Sequence, residues 1–290
     1  MKLVFPTGLD IIEQQETLSS NTLFHFTNGV DYLEGIIKNG IIPRYSFEDL
    51  SMYKWYRDGQ NTVPQIGIPM ACFCAIPLSK VKYHLSWYGE YGIGIDKKWG
   101  MSRGICPILY TDHLSSTTLS VINALEAYKQ LLYEEMLKEG DKQYLNLLNA
   151  LESLMFLSKP YEGPFEHVGK KISVKNFYDE REWRFIPDLI AAKLKRIIFS
   201  SDEGMRLELK DASNALLEKN ALLEKEEDIP KLRLPVNPLN IKYIIVRGEE
   251  DVVRIIRALE DTYGDQNYSQ NTMKKLVTNI VTVKQMLEDF

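Results

Sequence analysis

The sequence predicts an α+β domain on a twisted, split β-sheet, with a helical hairpin inserted into it and C-terminal helices. Three observations carry this. Short β-type runs at Leu23 to Thr27, Met70 to Ile76, Tyr91 to Ile95 and Ile241 to Val246 are bounded by glycine, proline or asparagine. A long middle stretch, 115–159, changes to helical spacing. Two more helical segments, about 249–262 and 270–289, follow the last β run.

The elements follow in order. Leu23 to Thr27 is a strand that turns at Asn28-Gly29. A helix from Tyr32 to Lys38 places Leu33, Ile36 and Ile37 on one face, and Gly40 suits the left-handed position after its end. Ile41 to Arg44 leads the chain back out. Residues 45–65, rich in Tyr, Phe and Trp with Gly59 and Pro64, read as an ordered loop. Met70 to Ile76 is a strand ended by Pro77, and Leu78-Ser79 opens a helix to Tyr88, broken by Gly89. Tyr91 to Ile95 is a strand whose glycines at 92 and 94 predict a bend or close approach. Ile105 to Tyr110 is a strand interrupted at Pro107.

Ile122, Leu125, Tyr128, Leu132 and Met136 form one helical stripe; Tyr144, Leu147, Leu148, Leu151 and Met155 form another. Joined near Gly140-Asp141, they predict a helical hairpin. β character returns at Lys171 to Phe177 and again where Trp183 and Phe185 alternate with Glu182 and Arg184. Arg196 to Ser200 and Leu232 to Leu234 are short strands. The tandem repeat Asn-Ala-Leu-Leu-Glu-Lys over 214–225 predicts a mobile helical excursion, since two copies are too few for a solenoid. The chain thus divides into a mixed α/β core (1–113 and 160–248), the hairpin insertion (114–159) and C-terminal helices (249–290).

Composition narrows the function. The net charge of −5 disfavours duplex binding unless a local patch supplies it, from Lys193, Lys195 and Arg196 or from Lys170, Lys171 and Lys175. Three cysteines fit a reducing compartment. No apolar run approaches the ~20 residues of a spanning helix, so the expected location is the cytoplasm. Cys72 and Cys74, one residue apart on a strand face, fit zinc poorly and read as buried thiols, with Cys106 and His84 elsewhere; no metal is expected. Gly89, Gly92 and Gly94 are in the wrong order and context for a dinucleotide fingerprint, and no Walker loop or nucleophile elbow is present.

At His25-Phe26-Thr27, the Ile36-to-Arg44 turn, Cys72-Phe73, Tyr91 to Ile95 and Glu180-Arg181-Glu182-Trp183-Arg184, the chain resembles the AbiGi family of bacterial abortive-phage-resistance proteins, over roughly residues 20 to 250. That resemblance implies anti-phage defence from a two-gene locus, in which this component is the antitoxin partner of a nucleotidyltransferase-like toxin. A more distant resemblance is to ADP-ribosyltransferases. It implies NAD as cofactor, His25 holding a ribose, an aromatic at Tyr88, Tyr91 or Tyr83 stacking on nicotinamide, and Glu182 facing the attacked ribose. ADP-ribose would pass to a macromolecular acceptor.

Each residue has a plainer alternative. His25 either bonds a ribose hydroxyl, with Thr27 beside it, or is a core histidine on a backbone carbonyl. Glu182 either stabilises an oxocarbenium-like state or is locked to an arginine, with Arg181 and Arg184 at hand. Arg44 either grips a diphosphate or forms a surface ion pair. The catalytic reading requires His25 and Glu182 to line one cleft within about 10 Å of each other. The alternative is a non-enzymatic antitoxin that contacts its partner through the hairpin and the acidic repeat.

Overall fold

A computed structural model describes residues 20–48, 65–112, 115–135, 142–167, 170–187, 194, 197–200, 205–223, 232–264 and 268–289. Strand β1 (Thr22–Thr27) leads into helix α1 (Val30–Asn39), which buries Leu33, Ile36 and Ile37. Gly40 ends it with φ +80, where a side chain would meet the Leu234 carbonyl. β2 (Arg44–Glu48) takes the start of the expected loop; residues 49–64 lie outside the described residues. β3 (Gln65–Cys74) begins earlier than the hydrophobic run suggested. α2 (Lys82–Tyr88), β4 (Tyr91–Asp96) and α3 (Lys97–Ser102) follow. The unanticipated α3 is nucleated by its cap, the Asp96 carboxylate accepting from the Trp99 N–H.

Pro107 divides the next run into β5 (Cys106–Pro107) and β6 (Leu109–Thr111). The hairpin is α4 (Ser116–Glu135) and α5 (Lys142–Phe156), followed by β7 (Ser158–Pro160), which pairs with β6. β8 (Glu162–His167) and β9 (Lys170–Asn176) form a separate antiparallel ribbon. Then come β10 (Glu182–Phe185), β11 (Ile198–Ser200), α6 (Met205–Leu223) and β12 (Ile241–Val246). The end of the chain holds α7 (Glu249–Tyr263), α8 (Gln270–Thr278), β13 (Ile280–Thr282) and α9 (Val283–Asp289). The continuous helix expected over 270–289 is therefore interrupted. Ile280, Val281 and Thr282 are β-branched and pair in parallel with Ile244, Ile245 and Val246.

The main sheet is mixed, in the order β13-β12-β4-β1-β3-β10-β5, with β2 and β11 also paired to β3. β1 follows β4 through six registered pairs, from Thr22↔Asp96 to Thr27↔Tyr91. Against β3 it registers only at Phe24↔Cys74. Beyond that pair the two strands part, and the sheet opens. Gly92 and Gly94 serve close packing: a side chain at Gly94 would strike the Phe24 ring, and one at Gly92 the Phe26 ring.

One face of the sheet buries Leu23, Phe73, Ile93 and Ile95 under α1 and α7. The other buries Phe24, Cys74 and Ile245 under α2 and α9. The hairpin packs Val121, Ile122, Tyr128, Met155 and Phe156 on Ile66, Ile68 and Met70 of β3. Leu147, expected in its buried stripe, is 49% exposed. α6 carries the first copy of the repeat and is anchored by Leu216 and Leu209 against Tyr45 and Ile198. Among the described residues no helix is long and apolar enough to cross a membrane.

Candidate functional site

A cleft of about 1770 Å³ opens where β1 leaves β3. His25, Thr27, Arg44, Glu48, Cys72, His84, Tyr88, Lys159, Phe165, Glu180 and Glu182 are among the residues lining it. Registered partners share a face, so Phe24, Cys74 and Glu182 project to one side of the sheet. His25, one residue on and opposite Ile93, projects to the other. Its ring lies 5.4 Å from that of Phe73, and its Nδ1 donates to the Cys72 carbonyl at 2.8 Å. His25 thereby bridges the gap that the parting strands leave. The two residues reach one cleft from opposite faces, so the expected imidazole–carboxylate pairing is not made on a common face.

The charged floor of the cleft is an alternating row. The Glu48 carboxylate meets Arg184 Nη2 at 2.8 Å, and Arg184 Nε meets Glu182 at 2.6 Å. The second oxygen of Glu182 meets Lys159 Nζ at 2.8 Å; Lys159 meets Glu180 at 2.9 Å, and Glu180 meets Lys175 at 2.5 Å. Three carboxylates and three cations thus neutralise one another. Arg184, fully buried, also donates through Nη1 to the Phe156 carbonyl at 2.7 Å, at the end of α5. The Glu182 N–H donates to the Tyr110 hydroxyl, and the Tyr88 hydroxyl donates to Glu180. Lys175 sits over the Phe165 ring at 3.7 Å from its centroid, with the Tyr88 and Trp87 rings within 5.2 Å.

The middle of the row fixes its own ionisation. Burial pushes the Glu182 carboxyl up, but Arg184 and then Lys159 outweigh it and hold it well below the carboxylate range. Burial opposes the charge on Lys159, yet Glu182, Glu180 and Glu48 carry its ammonium well above its ordinary value. Glu180 is lowered by Lys159 and Lys175 against the effect of burial. At the row's end, burial raises Glu48, with Arg184 only partly offsetting it. Burial lowers His25, and it pushes His84 down to about 4.

The remaining expected residues separate. Thr27 and Arg44 line the cleft, Arg44 exposed at its mouth. Tyr88 lines it too, with its hydroxyl tied to Glu180, whereas Tyr91 turns away and donates to Asp251 at 2.8 Å. Tyr83 is largely exposed. Cys74 is buried as expected, but Cys72 is exposed in the cleft. Arg181 does not join the charged row; it lies over the Tyr178 ring, with a left-handed φ of 44. Lys175, assigned to a candidate basic patch, is held by Glu180, and Lys193, Lys195 and Arg196 lie outside the described residues. Sequence reasoning missed Lys159 and Glu48 altogether and weighed His84 only as a metal ligand. None of the three stands in a local pattern that marks it.

A mixed α/β protein with an internally neutralised cleft is the class that fold and site define. Residues 39–235 match the family model described as putative abortive phage resistance protein AbiGi, antitoxin. The abortive phage resistance protein AbiGi of Lactococcus lactis subsp. cremoris is 33% identical over 172 residues, which cover 56% of this chain and 68% of that protein. The chain belongs to the AbiGi family. The matched segment contains all six residues of the charged row and His84, whereas His25 lies before it. No solved structure matches the chain.

Proposed function

We propose that the protein is the antitoxin component of an abortive-infection defence system, and that it works by binding a cognate toxin. The family description supports this role. The observation that carries it is the closed charged row at the cleft floor: every member is paired with an opposite charge. Catalytic acids and bases are commonly tuned towards the working pH. Here Glu182 and Lys159, in the middle of the row, are driven the other way, deeper into their charged forms, while burial raises Glu48 and lowers Lys175 at its two ends. Such a row stiffens a scaffold. The hairpin on that scaffold presents exposed Leu119 and Leu147 to a partner. In cells expressing the toxin encoded at the same locus, the wild-type protein restores growth and co-purifies with the toxin. Leu147→Glu loses both while keeping its melting temperature. Absence of complex and rescue with the wild type refutes the proposal.

A second reading, ADP-ribose transfer from NAD, is favoured by one observation: His25, Thr27, Arg44, Tyr88 and Glu182 all line a single cleft large enough for a dinucleotide. An ionised Glu182 would stabilise the positive charge that develops as the bond to nicotinamide breaks. Nicotinamide would leave, and ADP-ribose would join the acceptor. Incubation with labelled NAD tests this. Transfer that is lost in Glu182→Ala supports the reading, and transfer unaffected by the substitution removes Glu182 from it.

A further inference from the structure

Arg181 stands in the chain between two carboxylates of the row and joins neither. Its backbone is held at the left-handed φ of 44, a strained state for a residue with a side chain and one that gathers at functional positions. The guanidinium rests over the Tyr178 ring and comes close to a like charge. That charge is Lys97, at the start of α3, with its Nζ 4.7 Å from the centre of the Trp183 ring and 3.5 Å from the Ser20 carbonyl. Burial and then the Arg181 charge lower the pKa of Lys97. Lys98 and Arg103 are exposed on and just past the same helix, Arg103 over the Trp99 ring. Trp99 and Trp183 are set in one core cluster, so the cations share one edge of the sheet. Among the described residues, no carboxylate meets Lys98, Arg103 or Arg181. Of the neighbouring acids, Asp96 accepts from the Trp99 N–H and meets Lys242, and Asp179 is exposed beside Tyr178. None of the four cations lines the cleft. A strained backbone that holds two like charges together is an arrangement that an anion relieves.

We infer that the strip formed by Lys97, Lys98, Arg103 and Arg181 binds the phosphate backbone of single-stranded nucleic acid. Arg181 and Lys97 hold one phosphate between them, the guanidinium through its paired N–H donors, and Lys98 and Arg103 meet its neighbours. The net charge of −5 decides between a single strand and a duplex. A flexible strand can follow so short a strip, whereas a duplex brings more phosphates against the acidic remainder of the surface. The site is neither of the basic patches that the sequence suggested. It also goes beyond the antitoxin proposal, because it lies outside the cleft and needs no toxin.

The test is fluorescence anisotropy on the full chain at salt between about 50 and 200 mM, with a labelled single strand of about 20 nucleotides, its duplex, and polyglutamate. The single strand should bind more tightly than the duplex, with a slope of log affinity against log salt no steeper than about −3, the limit for four contacts. Lys97→Gln combined with Arg181→Gln removes two of them. It should make the slope shallower by about 1.4 and weaken binding tenfold or more at the lowest salt. Arg181→Gly separates recognition from folding: glycine adopts the left-handed φ freely, so this variant should melt no lower than the wild type and still bind more weakly. The inference fails if the single strand does not bind at about 50 mM salt, if the double variant keeps the wild-type slope, or if Arg181→Gly keeps the wild-type affinity. A duplex bound as tightly as the single strand overturns it as well. Polyglutamate bound as tightly would make the strip a site for an acidic protein, which also refutes the assignment.

Discussion

Arg184 is the residue on which most of the buried charge depends. Its guanidinium serves Glu182, Glu48 and the Phe156 carbonyl together. Arg184→Met strands two carboxylates in the interior, and breaking a buried pair from one side costs about 3–5 kcal/mol. Urea denaturation at neutral pH should show a loss of that size. Acid tests the same residues differently. The Glu182 carboxyl lies below its ordinary value in the fold, so its contribution is present above the usual carboxylate range and is lost as the pH falls towards the folded value. Lys159 is raised, so its contribution is full below its ordinary value and is lost only in alkali. Glu48 is raised and has the opposite sign to Glu182. Stability measured from about pH 5 downward should therefore fall less steeply in Glu182→Gln than in the wild type. Sequence alone offered Arg181 and Arg184 as partners for Glu182; Arg184 is the one that pairs, since two residues apart on one strand the two share a face. It could not mark Lys159 or Glu48, which reach the row from other elements, Glu48 lying 136 positions from Arg184.

Elements were legible where periodicity acted locally. The Leu33, Ile36 and Ile37 stripe gave α1, and the alternating run gave β10. The repeat shows where periodicity stops being informative. The two leucines of its first copy look alike in sequence, yet α6 buries Leu216 completely and leaves Leu217 37% exposed. Leu216→Ala should cost about 2–5 kcal/mol, as core truncations do. Leu217→Ala should stay within about 0.5 kcal/mol. Equal effects in thermal denaturation would mean that α6 does not dock as described. β13 was missed for a related reason. Three residues between two helical patterns are too few to display a period of two, and only the edge of β12 gives them a partner.

Across the molecule, the charged row joins parts that the sequence presents as separate. Lys159 stands just past the hairpin, Glu48 on β2, and Glu180 and Glu182 beside and on β10. The hairpin is thus fastened to the sheet by charge as well as by the apolar contact of Ile122, Tyr128 and Met155 with β3. Lys159→Met should loosen this junction. Hydrogen exchange should then speed up in α4 and α5 by tenfold or more, while β4 keeps its protection. Uniform acceleration throughout would show instead that insertion and sheet open as one unit. The long-range meetings that build the site were not legible, because each depends on strand order, which no window of sequence contains.

That strand order has a consequence for how the chain acquires its shape. β1 must find β4, β4 must wait for β12, and β3 must wait for β10, so most of the central sheet is assembled from distant segments. Loop closure must precede the reward of pairing, which places the protein among slow folders with exposed edges on the way. Refolding after rapid dilution from urea should take milliseconds to seconds or longer, and recovery should fall as the concentration rises.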